Sequence, residues 1–479
     1  MNIRLIINLM GKALVLLGLF MILPLLWALY DQGPDRTAFF VSIMITLSCG
    51  FLSIWFVPEK GEIRYRESFV IVSVGWVLVS LFGSLPYLLS GVCASFSDAF
   101  FETVSGFTTT GASIFTDVEI LPRGILFWRS LTHWLGGMGI IVFLVALLSN
   151  LGAGANRIFY AEAPGPKTSK ILPRISETAQ ILWSTYLVIT IVETCLLWLL
   201  GMPIFDALCH TFGTVATGGF SIKNKSIGAY PQASIQWVIT IFMFLSGVNF
   251  AFYYQVLRGR SLKVFWQNEE FRLYATVVLV ATILIAINTR YSFGGMEELF
   301  RAAAFQVVAI ITTTGYATSD FNLWPYMAQA ILIALMFIGG CSGSTSGSIK
   351  VERILVLLKQ GAVEIRKLIH PRAVLSPKIE GNNISLELVS NVQQFFFLYI
   401  TIFIISGIIM TAMGLDLITA FTSVAATIGN VGPGLGEVGP AGNYAHLAGQ
   451  GKILLSFLML LGRLEIYTVF ALFMGRFWR

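Results

Sequence analysis

The chain has 479 residues, of which 56% are hydrophobic and 12% are charged. Soluble proteins carry roughly 25% charged residues, so this composition excludes an ordinary soluble protein and indicates an integral protein of the lipid bilayer. The formal net charge is +6, but most lysines and arginines collect in alternate loops between apolar stretches, which is the positive-inside pattern. We therefore expect no nucleic-acid partner and predict that both termini are cytoplasmic.

Cysteine, histidine and phosphate-binding patterns give no sign of a catalytic cofactor. The five cysteines and four histidines are scattered without the close spacing of metal ligands. The sequence also lacks a GxxxxGKS or GxxxxGKT motif, so we do not expect it to hydrolyse ATP. The sequence predicts a protein that is not an enzyme and carries no cofactor of its own.

Two apolar stretches, residues 7–30 and 37–57, come first along the chain. Each is close to the roughly 20 residues that a helix needs to cross a bilayer, and a polar turn joins them. We predict two leading transmembrane helices within residues 1–60. No small-residue cleavage site follows the first stretch, so we interpret it as a retained helix rather than a signal peptide.

A fourfold repeat follows, in which an alanine precedes by twelve residues a glycine that lies just past a short apolar run. The pairs are Ala99–Gly111, Ala207–Gly219, Ala303–Gly315 and Ala420–Gly432. Around each pair we predict a first span, a half-length helix, a glycine-containing strand and a second span. The four predicted units cover residues 61–155, 156–260, 261–380 and 381–479.

The four units are predicted to contain the same elements in the same order. First spans are predicted near residues 69–90, 179–200, 272–288 and 392–413, and second spans near 124–149, 233–257, 326–357 and 448–474. The half-length helices, here called half-helices 1 to 4, begin at about residues 97, 205, 298 and 416. The predicted fold is an all-α polytopic membrane protein: two leading transmembrane helices, then four pseudo-fourfold repeats of span, pore helix, filter and span, in a potassium-channel-like arrangement.

Acidic residues recur where the half-helices are predicted to begin. Asp98, Asp206 and Asp416 hold this position in units 1, 2 and 4, and Glu297 with Glu298 in unit 3. A carboxylate here caps a helix and complements its dipole. The opposite, partially negative helix ends would then point towards the glycine strands, which favours a cation there.

The glycine strands, residues 107–113, 215–221, 311–317 and 428–434, are here called filter segments 1 to 4. A dehydrated potassium ion needs a ring of oxygens, mostly backbone carbonyls, and glycine permits the backbone dihedrals that such a strand requires. One Thr/Gly run alone would equally suit a turn, whereas four at equivalent places favour a filter. The predicted potassium-binding residues are Thr109, Thr110, Gly111, Thr217, Gly218, Gly219, Thr313, Thr314, Gly315, Asn430, Val431 and Gly432.

A Gly/Ser-rich stretch, residues 337–348, interrupts the second span of unit 3 and is here called the gate loop. Such an interruption is tolerated at membrane depth only where it lines a cavity or packs in protein, so below the filter it would act as a movable plug. Close packing of small residues between helices is the alternative. The predicted gate residues are Gly339, Gly340, Gly343, Ser344, Thr345, Ser346 and Gly347, with Arg463.

Arg463 lies near the middle of the last predicted span. An intramembrane arginine is costly and usually faces a pore or a charged partner. Arg463 is therefore expected to repel permeating cations and to clamp the gate loop, with a purely structural ion pair as the alternative. Glu465 is only two residues away and points to another face of a helix, so it is not the expected partner.

These residues resemble the Trk/Ktr/HKT superfamily of potassium transporters, most closely the bacterial TrkH/TrkG type. The resemblance covers essentially the whole chain. Beside the filters it rests on the two extra leading helices and the sequences AEAPGP (161–166), GRSLK (259–263) and GRLE (462–465). Two features depart from the family: Ser346 and Ser348 stand where relatives often have glycine, and filter segment 4 lacks the threonine run.

The resemblance implies a homodimer in the bacterial inner membrane, with one potassium pathway per protomer. It also implies a gate formed by residues 339–347 with Arg463, and control by a cytoplasmic nucleotide-binding ring of the TrkA type. The basic segments 157–174 and 350–378 would dock this ring, or only set the membrane orientation. In plant relatives a serine at the first filter glycine accompanies sodium transport, so Gly111 implies potassium.

Two other classes of protein are alternatives. Residues 340–343 read GCSG, which matches an intramembrane serine protease with Ser342 as nucleophile and His133 as its base. A secondary transporter for an organic solute would also use broken helices. Its repeats are usually two and often inverted, whereas the four units here run in one orientation, which favours a pore.

Overall fold

The computed structural model describes residues 1–57, 63–139, 175–257, 259, 261–373, 375–464 and 466–478. Several sequence features lie outside the described residues: the second half of the second span of unit 1, the basic segment 157–174 with its AEAPGP sequence, and Glu465. Among the described residues, six helices are long and apolar enough to cross a membrane, or eight if two bent helix pairs each count as one span. The chain is a multi-pass helical membrane protein.

The two leading spans are present. The first consists of helices Ile3–Phe20 and Ile22–Tyr30, and the second is helix Arg36–Phe56. The first also packs against the first span of unit 1. The two leading helices thus lie beside the fourfold part of the molecule.

Each unit contains the predicted first span and half-helix. The first spans are Tyr65–Gly83 (continued by Leu85–Leu89), Ile175–Leu199, Glu269–Thr289 and Leu386–Ala412. The half-helices 1 to 4 are Phe96–Phe107, Ile204–Val215, Met296–Ile311 and Leu417–Ile428. Each half-helix ends two residues before the first predicted potassium-binding residue of its unit, so its partially negative end is directed at the filter segment.

The second spans are less regular than predicted. The structure has helices Arg123–Gly137 in unit 1, Ala233–Ser246 and Phe250–Leu257 in unit 2, Tyr326–Met336 and Val351–Ile369 in unit 3, and Gly449–Leu464 and Ile466–Phe470 in unit 4. The interruption in unit 3 was predicted, although its second helix runs beyond residue 357. The breaks in units 2 and 4 were not.

The break in unit 2 has a clear physical cause. The two helices bend by 96°, and the gate loop satisfies backbone groups at the bend. The Gly247 carbonyl accepts a hydrogen bond from Cys341 N at 2.8 Å, and Phe250 N donates to the Gly343 carbonyl at 3.1 Å. Long-range contacts that a hydropathy pattern does not contain therefore replace helical hydrogen bonds here.

Shorter elements complete the described chain. They are helix Lys263–Gln267, the 3-10 helices Ser226–Ala229, Phe321–Leu323, Gly436–Val438, Ala471–Phe473 and Gly475–Phe477, and an antiparallel pair of strands, Lys378–Ile379 and Asn382–Asn383.

The acids at the half-helix starts act differently from one unit to the next. Asp416 is the N-cap of half-helix 4, and its side chain accepts from Thr419 N at 3.1 Å. In half-helix 1 the cap is Ser95, and Asp98 instead forms an ion pair with Lys452 at 2.6 Å. Half-helix 2 follows a proline, and Glu297 of half-helix 3 pairs with an arginine one turn later. The expectation of a capping carboxylate thus holds only for unit 4.

Candidate ion pathway

The four filter segments share one backbone conformation. The first predicted potassium-binding residue of each has φ between +53° and +58°, and the glycine two residues later has φ between +74° and +99°. Left-handed residues on either side of a residue that is not left-handed turn successive carbonyls towards one side of the strand. The first position is occupied by three threonines and an asparagine, although residues other than glycine rarely adopt this backbone conformation. They are Thr109, Thr217, Thr313 and Asn430.

The same glycines bring the segments together in a closed ring. A Cβ added to Gly111 would overlap the carbonyl oxygen of Gly218, and one added to Gly219 would overlap that of Thr314. The pattern continues from unit 3 to unit 4 and returns from unit 4 to unit 1, at Gly315 with Val431 and at Gly432 with Thr110. Each glycine therefore packs on the carbonyl that precedes the next unit's glycine. Both the dihedral and the close approach require glycine.

Hydroxyl contacts distinguish the segments. Thr108 and Thr110 of segment 1 lie 2.8 Å apart through their Oγ1 atoms, and Thr312 and Thr314 of segment 3 repeat this pair at the same distance. In segment 4 the Asn430 amide takes the place of a threonine and donates to Thr110 Oγ1 at 2.9 Å. Segment 4 thus departs from the others in its side chains but follows them in its backbone.

His133 supports filter segment 2 from behind. Its Nδ1 lies 2.8 Å from the Gly106 carbonyl oxygen, and its Nε2 accepts from Phe220 N at 3.0 Å. A Cβ on Gly218 would overlap the imidazole ring. Because backbone groups occupy both ring nitrogens, His133 is not available as a base for Ser342, as the serine-protease alternative requires.

The gate loop lies against one end of the ring, here called the gate-side end. Gly347 N donates to Thr313 Oγ1 at 2.7 Å, and Thr345 Oγ1 donates to the Val215 carbonyl at 3.1 Å. A Cβ on Gly347 would lie 2.8 Å from the Asn430 Cβ. The loop therefore touches units 2, 3 and 4 where their half-helices meet the filter segments.

Arg463 joins the gate loop to unit 1. Its Nη1 donates to the Thr345 carbonyl at 2.8 Å and lies 3.4 Å from Thr109 Oγ1. Its Nη2 donates to the Gly136 and Gly137 carbonyls at 2.7 and 2.6 Å. The structure thus brings Arg463 together with the loop and with the gate-side end of filter segment 1.

The gate loop and the start of the helix that follows it are held by groups that the sequence analysis did not single out. Glu270 is 7% exposed, and its Oε1 accepts from Ser342 N at 2.6 Å and from Glu352 N at 3.1 Å. The Lys350 ammonium donates to the Ser346 carbonyl. The only sequence signal for Glu270 was a carboxylate at the start of a span. That position is common on the surface, so the signal was weak.

Ser348 has φ +54°, in the region that favours glycine. Its Oγ donates to the Met336 carbonyl at 2.7 Å. The Ser348 side chain therefore supplies a hydrogen bond that a glycine at this position would lack.

The TrkH family model, described as a cation transport protein, matches residues 35–479. The chain belongs to the TrkH family. It is 41% identical to the Trk system potassium uptake protein TrkH of Escherichia coli K12 over 489 residues, with full coverage of both chains. The TrkG protein of the same organism is 36% identical over 100% of this chain and 99% of its own.

A solved structure agrees with this assignment. The crystal structure of the potassium transporter TrkH from Vibrio parahaemolyticus superposes with a TM-score of 0.91 and 37% identity, over the whole of both chains. These TrkH-family relatives are transport proteins rather than enzymes. Within the described ranges, no group of three or more His, Cys, Asp or Glu could hold a metal ion.

Proposed function

We propose that this TrkH-family protein takes up potassium through the backbone carbonyls of the four filter segments. The observation that carries the proposal is the closed ring in which each filter glycine packs on a carbonyl of the next unit. Such a ring offers oxygens from four sides to one dehydrated cation. The relatives named as potassium uptake proteins support potassium as that cation.

The gate loop and Arg463 would limit the flow of potassium through the ring. The loop lies across the gate-side end of the ring, and Arg463 places a positive charge beside Thr109 at that end. A fixed cation so close to the pathway repels a permeating one. Flow therefore requires that the loop and the guanidinium move aside.

The remaining parts of the proposal rest on the family. The protein would be a homodimer of the bacterial inner membrane, with cytoplasmic termini and a TrkA-type nucleotide-binding ring that controls the gate. The basic residues in alternate loops support this orientation. Of the basic residues in segment 350–378, Lys350 contacts the gate loop and Lys359 pairs with Glu269. The others would dock the TrkA-type nucleotide-binding ring.

The test is potassium-limited growth and rubidium uptake in bacteria without their own potassium importers, with and without a TrkA-type partner. Gly111→Ser is expected to lose uptake or to become sensitive to sodium, because its side chain would enter the ring. The control is Gly201→Ser: Gly201 has φ +94°, but no described atom lies within 4 Å of an added Cβ. No uptake by the parent with the partner present, or equal loss in both variants, would contradict the proposal.

A further inference from the structure

A buried ion pair lies behind filter segments 1 and 2. Glu102 belongs to half-helix 1, and Arg129 belongs to the second span of unit 1. Arg129 Nε donates to Glu102 Oε1 at 2.8 Å, and the two side chains are 2% and 0% exposed. The contacts described above for the gate loop do not include this pair, so it requires its own explanation.

The pair holds the segments at the end remote from the gate loop. Glu102 Oε2 accepts from Ile114 N at 2.9 Å, and Glu102 Oε1 accepts from Ser113 Oγ at 3.1 Å. Arg129 donates to Ser113 Oγ and to the Ser221 carbonyl, each at 3.1 Å. Ser113 and Ser221 each follow a ring glycine by two residues. One guanidinium therefore connects the equivalent positions of two neighbouring units.

Aromatic rings enclose the arginine. Its guanidinium carbon lies 4.2 Å from the centre of the Phe220 ring and 5.4 Å from that of Phe115. Phe220 directly follows Gly219, so this cation–π contact also belongs to filter segment 2. The enclosed charge makes directed hydrogen bonds in a site with little water, where they hold geometry more firmly than at a surface.

The four units differ at this position, which is the third residue after the repeated alanine. In unit 2, His210 Nε2 lies 3.0 Å from Ser221 Oγ, and in unit 3, Gln306 donates to the Tyr316 carbonyl at 3.3 Å. In unit 4, Ser423 Oγ bonds only within its own helix, to the Ala420 carbonyl. A polar side chain supports the segment in units 1 to 3, but a charged pair does so only in unit 1.

A contribution to folding stability does not by itself explain a buried ion pair. The desolvation of two charges offsets much of their attraction, and proteins with apolar residues in place of such a pair are often as stable. What the pair adds is a fixed distance between two segments. In the size-selection account of a potassium filter, a ring held at the size of potassium does not contract around the smaller sodium ion. We propose that Glu102 and Arg129 are positioning residues that set the preference for potassium over sodium; this inference rests on the proposed function.

The test compares potassium and sodium fluxes of purified protein in liposomes. Glu102→Gln removes the charge but keeps the shape, and we expect the potassium-to-sodium flux ratio to fall about tenfold, since hydrogen bonds to charged groups are among the stronger ones. Ser113→Ala keeps both charges and removes the bridging hydroxyl, and a smaller fall is expected. The control is Lys359→Gln, which breaks the ion pair with Glu269 on the gate side and should keep the parent's ratio.

The outcomes separate the two proposals. A parent that carries no potassium would overturn the proposed function. A selective parent with equally selective Glu102→Gln and Ser113→Ala variants would overturn the positioning role and leave the proposed function standing. If Glu102→Gln does not accumulate in the membrane, Ser113→Ala decides alone, because it leaves the ion pair in place.

Discussion

The backbone N–H of Gly347 donates to the side-chain hydroxyl of Thr313 across 2.7 Å. This bond joins the gate loop to the first residue of the ring in unit 3. A threonine hydroxyl at that place is also an oxygen that a cation at the gate-side end of the filter would use. Under the proposed function, the loop and the ion would therefore draw on the same group, so that closing the gate and occupying that position would oppose each other.

Thr313→Val is expected to weaken the closed gate. Valine keeps the side-chain shape but leaves the buried Gly347 N–H without its acceptor, at a cost of about 1–3 kcal/mol. That cost would raise the rubidium leak of the protein in liposomes about tenfold without a soluble partner. Thr313→Ser, which keeps the hydroxyl, should leak as the parent does. A parent-like leak in the valine variant would show that this bond does not hold the loop.

Arg463→Ala is expected to raise the rubidium flux above that of the parent protein. The substitution removes a cation and the donors to the Thr345, Gly136 and Gly137 carbonyls. Arg463→Lys keeps the charge but not the planar fork that reaches several carbonyls at once, so its rate should lie between those of alanine and the parent. Rubidium uptake with and without the TrkA-type partner measures this order. Unchanged rates in both variants would indicate a purely structural arginine.

Glu270 and Glu269 offer a matched pair of variants at adjacent positions. Glu270→Ala leaves Ser342 N and Glu352 N without their shared acceptor, and we expect the leak to rise because the gate loop and the start of the helix after it each lose a contact. Glu269→Ala breaks the ion pair with Lys359 but removes neither of these two contacts, so its leak should match the parent's. Equal leaks in the two variants would contradict an anchoring role for Glu270.

The sequence predicted the architecture well because each unit carries a strong local signal. Apolar length locates the spans, and the recurring alanine and glycine locate the half-helices to within about two residues. The left-handed dihedrals of the filter segments follow from the same glycines. Thr109 and its counterparts in the other units also have left-handed backbone dihedrals. Their residue types did not indicate this, because it is the packing of the four segments in the ring that imposes the conformation.

The supports of the site were less predictable. The partners of Glu102, Glu270 and His133 are backbone groups and side chains from other segments of the chain, so no spacing along the chain reveals them. A charged residue within an apolar stretch is a signal for function, and it pointed to Arg463. The same reasoning applied to Arg129 would have pointed to that buried arginine, but the contacts of its partner Glu102 required the structure.

Gly315→Asp is expected to abolish selective uptake. Gly315 has φ +74°, and any side chain there would overlap the Val431 carbonyl in the ring. Gly91 has the same φ of +74°, but no described atom lies within 4 Å of an added Cβ, so Gly91→Asp introduces the same backbone strain and charge outside the ring. Rubidium uptake at matched membrane abundance should be lost in the first variant and kept in the second. Retained uptake by Gly315→Asp would disprove the assignment of this segment to the filter.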